Sequence, residues 1–232
     1  MRASLARSVV LWFIGSTLVC LVLQYWAYKG WEWGPDRIVE FIGFVTGVLG
    51  VGLTANRHIL NFPIGIVNVL SYAVLFIAFA QHYANGILQI IYFCFLVYGW
   101  MNWRKAKDEP FVVQRLNPKW WFPILVGVVA FTALQVPFLV NYIQGYSPET
   151  TKWIAIGDAF TFSVCIAAQI LSNTKRIETW YLWAFVDFLY IPFYIWREYH
   201  VTAALMLLYL ALCITGYKNW KESLIEPSTS AA

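Results

Sequence analysis

Trp180, Trp183 and Asp187 stand three and four residues apart in the segment Trp180-Tyr-Leu-Trp183-Ala-Phe-Val-Asp187. On an α-helix, positions i, i+3 and i+7 share one face, so two indoles and a carboxylate form a single stripe. The surrounding run is too apolar for a soluble surface, and a carboxylate at membrane depth is costly unless it faces a partner or a wet cavity. Two aromatic faces beside one negative charge suit a flat cation, each face contributing about 0.5–2 kcal/mol of cation–π attraction. Plainer readings stand beside this one. Trp180, near the start of its span, fits an interfacial aromatic belt equally well; Trp183 lies deeper. Asp187 also suits a structural hydrogen bond to a neighbouring helix.

The composition sets the surroundings of that stripe. Hydrophobic residues make up 60% of the 232, aromatic residues 19% and charged residues 12%, about half the charge of a soluble domain. The chain reads as an integral membrane protein in the lipid bilayer. Its net charge of +4 sits in short loops between apolar runs and forms no aromatic-interleaved basic face, so it reports membrane topology rather than a nucleic-acid partner. Cys20, Cys94, Cys165 and Cys213 fall in four different apolar runs and read as buried free thiols, not as a metal site or redox pair. An intramembrane enzyme needs clustered histidines and carboxylates or a nucleophile–base pair within its spans, and none is present. The last two spans have no mid-span lysine for a retinal Schiff base. No catalytic residue, metal or cofactor is expected.

A crossing helix needs about 20 residues. Apolar runs of that kind cover 8–28, 37–55, 60–81, 84–103, 119–140, 152–171, 179–196 and 200–219, giving an all-α protein of eight spans. Arg2 and Arg7 ahead of Val9–Ala27 imitate a signal peptide, but the run is long and further spans follow, so a retained first span is expected. Eight spans place 12 of the 16 basic residues on the side of the termini and 4 on the other. The positive-inside rule then puts both termini in the cytoplasm of a multi-pass protein of the cell (inner) membrane.

A repeat runs through the chain. Gly99-Trp-Met-Asn102-Trp103 closes span four and Gly216-Tyr-Lys-Asn219-Trp220 closes span eight, 117 residues on. At the same offset Asn56 meets Asn173, Leu88 meets Leu205 and Tyr92 meets Tyr209. Spans two to four thus match spans six to eight. The span between them restores orientation, giving a parallel repeat about an axis along the membrane normal, with the site expected near the midplane between the halves. The expected divisions are an extra N-terminal helix in 1–36, the first three-helix unit in 37–104, a cytoplasmic loop and linker helix in 105–148, the second unit in 149–221, and a disordered tail in 222–232.

Three features together resemble the PnuC family of nicotinamide riboside transporters: Glu178-Thr-Trp180-Tyr-Leu-Trp183-Ala-Phe-Val-Asp187, Asn61-Phe-Pro-Ile-Gly-Ile-Val-Asn68, and the Asn102-Trp103 and Asn219-Trp220 ends. The likeness covers roughly residues 37–221. It implies a SWEET-like fold of three spans, a linker span and three spans, with one extra N-terminal helix, assembled as a homotrimer. It also implies facilitated diffusion of the riboside, a precursor for NAD biosynthesis (vitamin B3), with trapping by a cytoplasmic riboside kinase. A thiamine-transporting branch is similar and stays open, because thiamine is also an aromatic cation.

Nicotinamide riboside joins a cationic ring to a carboxamide and a ribose. Trp180 and Trp183 are the candidates to stack on the ring, and Asp187 to offset its charge or accept ribose hydroxyls. Asn68 falls near Asp187 in the repeat after a slip of two residues, and its amide both donates and accepts. Gln89 lies three residues before Tyr92 on one face, open to either ligand binding or helix packing. Tyr72 and Tyr190 follow Asn68 and Asp187 by four and three residues, lining the cavity or simply packing. No Lys or Arg lies inside a span, so an anionic mononucleotide, lacking a compensating charge, is expected to be rejected.

Overall fold

Residues 34–79, 83–105, 110–143, 146–196 and 200–225, with scattered positions between 11 and 25, are described by the computed structural model. The helices are α1 (Pro35–Ala55), α2 (Asn61–Val74, continued by a π-helical turn Leu75–Phe79), α3 (Tyr83–Lys105), α4 (Trp121–Tyr142), α5 (Pro148–Asn173), α6 (Thr179–Trp196) and α7 (His200–Lys221). They correspond in order to spans two to eight. Of the expected first span, described positions between Leu11 and Tyr25 are helical, and the rest lies outside the described residues. Among the described residues, α1, α2 with its π turn, α4 and α5 are long and apolar enough to cross a membrane.

Helix α5 begins four residues before the apolar run that announced it. Ser147 Oγ accepts from the Thr150 amide (3.2 Å), and Pro148 takes the first turn. The polar Glu149-Thr150-Thr151 is therefore a capped first turn rather than a loop.

The turns that follow α1 and α5 have one construction used twice. Arg57 and Lys175, 118 residues apart, have φ of 60° and 56°. His58 N–H donates to the Leu53 carbonyl (2.9 Å) and Arg57 N–H to that of Thr54 (3.0 Å). Arg176 N–H repeats the first bond with Leu171 (2.8 Å) and Lys175 N–H the second with Ser172 (3.0 Å). These are Schellman motifs, each using a left-handed residue just past the helix end to satisfy last-turn carbonyls.

The Asn-Trp pairs complete the same ends from across the bundle. Asn102 Nδ2 donates to the Asn173 carbonyl (2.8 Å) and Trp103 Nε1 to that of Ser172 (3.3 Å). Reciprocally, Asn219 Nδ2 donates to the Ala55 carbonyl (3.2 Å) and Trp220 Nε1 to that of Thr54 (2.9 Å). The end of α3 thus caps α5, and the end of α7 caps α1. Trp220→Phe keeps the ring and removes the donor, a loss of about 1 kcal/mol. The expected result is a thermal midpoint in detergent about 2–4 °C lower; an unchanged midpoint would mean that the exchanged cap adds nothing.

The segment between α3 and α4 runs beneath these turns. Its strand β1 (Val113–Gln114) pairs in parallel with β2 (Leu224–Ile225). Gln114 also accepts from Ile177 N–H (3.2 Å) and donates to the Lys175 carbonyl (3.1 Å). Glu178 Oε2 accepts from Leu116 N–H (2.9 Å), so the first residue of the Glu178–Asp187 segment belongs to this floor. Arg57 holds Ser223 and forms an ion pair with Glu222 (3.3 Å). The tail expected to be disordered from 222 is therefore structured through Ile225; residues 226–232 lie outside the described residues. The pairing of β1 with β2 and its bridge to Arg176 were hidden by the polar composition of 104–118. Above the floor sits a core of Phe62, Trp103, Val113, Ile177, Trp180 and Trp220. Cys165 and Cys213 are buried free thiols, whereas Cys94 is exposed on α3, correcting the expectation that it is buried; Cys20 lies outside the described residues.

Candidate substrate cavity

Helices α1, α2, α3, α5, α6 and α7 enclose a cavity of about 380 Å³. Asn68, Tyr72, Gln89 and Tyr92 line it from α2 and α3, and Trp180, Trp183, Asp187 and Tyr190 from α6. All eight residues singled out from the sequence thus face one space, a size ordinary for a small-molecule site.

Asp187 is 6% exposed, and its Oδ2 accepts from the Cys213 thiol at 3.6 Å. Among the described residues the ion pair Arg57–Glu222 is the one salt bridge, so no protein cation offsets Asp187. A carboxylate removed from water with a single weak donor is electrostatically incomplete.

The two indoles of the stripe are held differently. Trp180 is 3% exposed and meets Trp220 edge to face, with centroids 5.4 Å apart. A Cβ on Gly216 would come within 2.4 Å of its six-membered ring, so that ring is seated directly on the backbone of α7. Burial in this core rules out a lipid-facing belt for Trp180. Its Nε1–H is buried and has no hydrogen-bond partner. Trp183 is half-buried, and no aromatic ring meets it among the described residues. Trp183 lines the cavity while packing partly on the buried core; Trp180 offers an unmet donor.

The remaining candidates have defined partners. Asn68 Nδ2 donates to the Gly43 carbonyl (2.6 Å), and the Tyr72 ring lies against Gly43, 3.0 Å from where a Cβ would stand. Tyr190 OH donates to Thr161 Oγ1 (2.9 Å). Tyr92 packs edge to face on Phe162 at 5.7 Å. Gln89 is half-buried on the cavity wall.

Residues 37–222 match the family model described as nicotinamide mononucleotide transporter. The chain belongs to that family. Among its relatives, the nicotinamide riboside transporter PnuC of Escherichia coli (strain K12) is 23% identical over 217 residues, covering 83% of this chain and 89% of the relative. PnuC of Haemophilus influenzae is 26% identical over 216 residues, covering 87% and 86%. The riboflavin/roseoflavin transporter RibM of Streptomyces davaonensis is 24% identical over 185 residues, covering 78% and 83%. A crystal structure of the vitamin B3 transporter PnuC superposes with a TM-score of 0.67 at 22% identity, over 93% of this chain and 91% of that one, which shows a shared all-helical fold. The resemblance to PnuC read from the sequence holds, and these family members are transporters, not enzymes.

In this family member the lining residues come in pairs. At 118 residues, Gly47, Val51 and Thr54 face Cys165, Gln169 and Ser172; Asn61, Gly65, Asn68, Val69 and Tyr72 answer to Thr179, Trp183, Val186, Asp187 and Tyr190. From α3 to α7 the interval is 117: Gln89, Tyr92 and Leu96 answer to Met206, Tyr209 and Cys213. The π-helical turn Leu75–Phe79 lies where the interval changes, and a π-bulge accommodates one extra residue. Asp187 therefore answers to Val69, one residue beyond Asn68, and Asn56 answers to Thr174 rather than Asn173. Gln169, Ser172, Cys213 and Tyr209 are lining residues that the sequence reading left out. Tyr209 was already paired with Tyr92, and carrying that pairing into the site would have found it.

Proposed function

We propose that this protein carries nicotinamide riboside across the cell (inner) membrane by facilitated diffusion. The observation that carries this reading is Asp187, a buried carboxylate without a protein cation among the described residues, one helical turn from Trp183. A pyridinium ring stacked on Trp183 supplies the missing charge. Ribose hydroxyls and the carboxamide meet the side-chain amides and Tyr hydroxyls of the same cavity. Gly65 answers to Trp183 in the other half, and Leu96 packs against it, 3.2 Å from where a Cβ would stand, so that position carries no second indole.

The architecture in this proposal is SWEET-like, with α1–α3 and α5–α7 as parallel units, α4 as linker, and the first span outside them. The paired Schellman turns and exchanged Asn-Trp caps support it. Alternating access then amounts to rocking of the units about the cavity, with Pro63, Gly65, Gly50 and Pro192 as sites of local adjustment. The end of the bundle rich in Arg and Lys faces the cytoplasm, and with it the termini. Phosphorylation by a cytoplasmic kinase traps the riboside. The homotrimer follows from the PnuC resemblance.

The family description names the mononucleotide, but among the described residues no Lys, Arg or His lines the cavity, so a phosphate would lie unpaired near Asp187. A neutral flavin, the cargo named for RibM, would leave Asp187 without its cation. Titration of detergent-purified protein with nicotinamide riboside, thiamine, riboflavin and nicotinamide mononucleotide, read by tryptophan fluorescence, tests the reading. Saturable quenching by the riboside alone is expected. Binding of thiamine alone, or saturable uptake of the mononucleotide with the riboside ignored, sinks it.

A further inference from the structure

Gln169 on α5 lines the cavity, and its amide has a fixed direction. Its Nε2–H donates to Asn173 Oδ1 (2.9 Å). Asn173 is itself fully buried and cannot turn over, because its Nδ2–H donates to the Phe95 carbonyl of α3 (2.8 Å). Flipping Asn173 would set its oxygen against that carbonyl, two acceptors face to face. Gly99 permits the approach: a Cβ there would stand 2.3 Å from Asn173 Oδ1. The chain from Phe95 through Asn173 to Gln169 engages one N–H of the Gln169 amide and fixes which way the amide points, leaving its carbonyl oxygen as the acceptor available to the cavity.

The same arrangement recurs across the cavity. Asn68 is tied by its NH₂ end to the Gly43 carbonyl, which leaves its oxygen unspent. Asp187 is an acceptor when ionised. Acceptor oxygens thus stand on α2, α5 and α6, and the Trp180 N–H is a buried donor without a partner among the described residues. Such a set reads a ligand whose periphery is O–H and N–H and which presents one acceptor of its own.

We propose that Gln169 is a specificity-determining residue of the cavity, its carbonyl oxygen aimed through Asn173 to accept a hydrogen bond from an O–H or N–H donor on the transported ligand. Asn173 is the positioning residue behind it. This rests on the reading of the cavity as the transport site, and it adds a contact beyond the Trp183–Asp187 stripe. Because turning the Gln169 amide over loses a buried hydrogen bond, either its own to Asn173 or, if both amides turn, that of Asn173 to Phe95, the oxygen is the end favoured toward the ligand and the site discriminates donors from acceptors.

The test compares two probes on purified full-length protein: nicotinamide riboside, which carries donors, and 1-methylpyridinium, a donor-free aromatic cation followed by displacement of the riboside. Gln169→Met removes the oxygen with little change in shape. It is expected to weaken riboside binding about tenfold and to leave 1-methylpyridinium binding within twofold. Gln169→Glu, which when protonated can donate to Asn173 and still present a carbonyl oxygen, is expected to keep riboside binding within about threefold, showing that the variants fold. Unchanged riboside affinity in Gln169→Met, or an equal loss for both probes, overturns the proposal. If the parent protein fails to bind the riboside at all, the transport reading itself is wrong, a result distinct from either.

Discussion

Asp187→Asn is expected to weaken nicotinamide riboside binding about 100-fold and to lower initial uptake into proteoliposomes correspondingly at sub-saturating substrate. The substitution keeps the volume and one acceptor oxygen, replaces the other oxygen with an NH₂ group, and removes the charge. Leaving one member of a buried, hydrogen-bonded charge pair without the other typically costs about 2–5 kcal/mol, and 100-fold corresponds to about 2.7 kcal/mol. An effect within that range is expected because Asp187 is 6% exposed and receives the Cys213 thiol as its one hydrogen bond among the described residues, so a cationic ligand would be its principal electrostatic partner. A second readout separates charge from fold. The dihydro form of the riboside has the same outline and a neutral ring, and its affinity should change by less than about fivefold in the variant. Discrimination between the oxidised and reduced ribosides therefore collapses in Asp187→Asn. Uptake at the parent rate, with discrimination intact, would assign Asp187 a purely structural role.

The placement of the stripe was legible because helical spacing alone puts Trp180, Trp183 and Asp187 on one face, and all three do line the cavity. The division of labour between the indoles was not. It depends on Gly216, 36 positions along the chain, whose missing side chain lets α7 close on the ring of Trp180. The proposed repeat was legible at identical residues, Asn102-Trp103 with Asn219-Trp220 and Tyr92 with Tyr209, all on α3 and α7. Its interval in the first two helices of each unit was masked, because the π-helical turn adds a residue between those stretches and because the answering residues there are mostly dissimilar. Gln169 answers to Val51, and Asp187 to Val69. No match of residue types could have paired them; only equal positions on equivalent helices do. The strand β2 was hidden for another reason: Leu224-Ile225 is too short to carry a pattern, and its pairing depends on a segment more than 100 residues away.

That same asymmetry between halves makes Trp183→Ala the other large effect. Its ring is answered in the repeat by Gly65 and stacks on no aromatic ring among the described residues, so its loss removes the half-buried indole of the cavity and leaves only the seated Trp180 and Tyr190 on that wall. Truncating a Trp that anchors a ligand costs about 2 kcal/mol or more, and the expected result is at least a 30-fold loss of riboside affinity together with loss of most riboside-dependent fluorescence quenching. Trp183→Phe should recover part of the affinity, since a smaller ring still stacks. Trp180→Phe provides the contrast: its ring seat against Gly216 and Trp220 is preserved and only the Nε1–H disappears, so the fall is limited to about three- to tenfold. If Trp180→Phe proves the more damaging substitution and Trp183→Ala binds as the parent does, the roles of the two indoles are reversed, and the cation lies nearer the floor of Trp103, Trp220 and Val113 than beside Asp187.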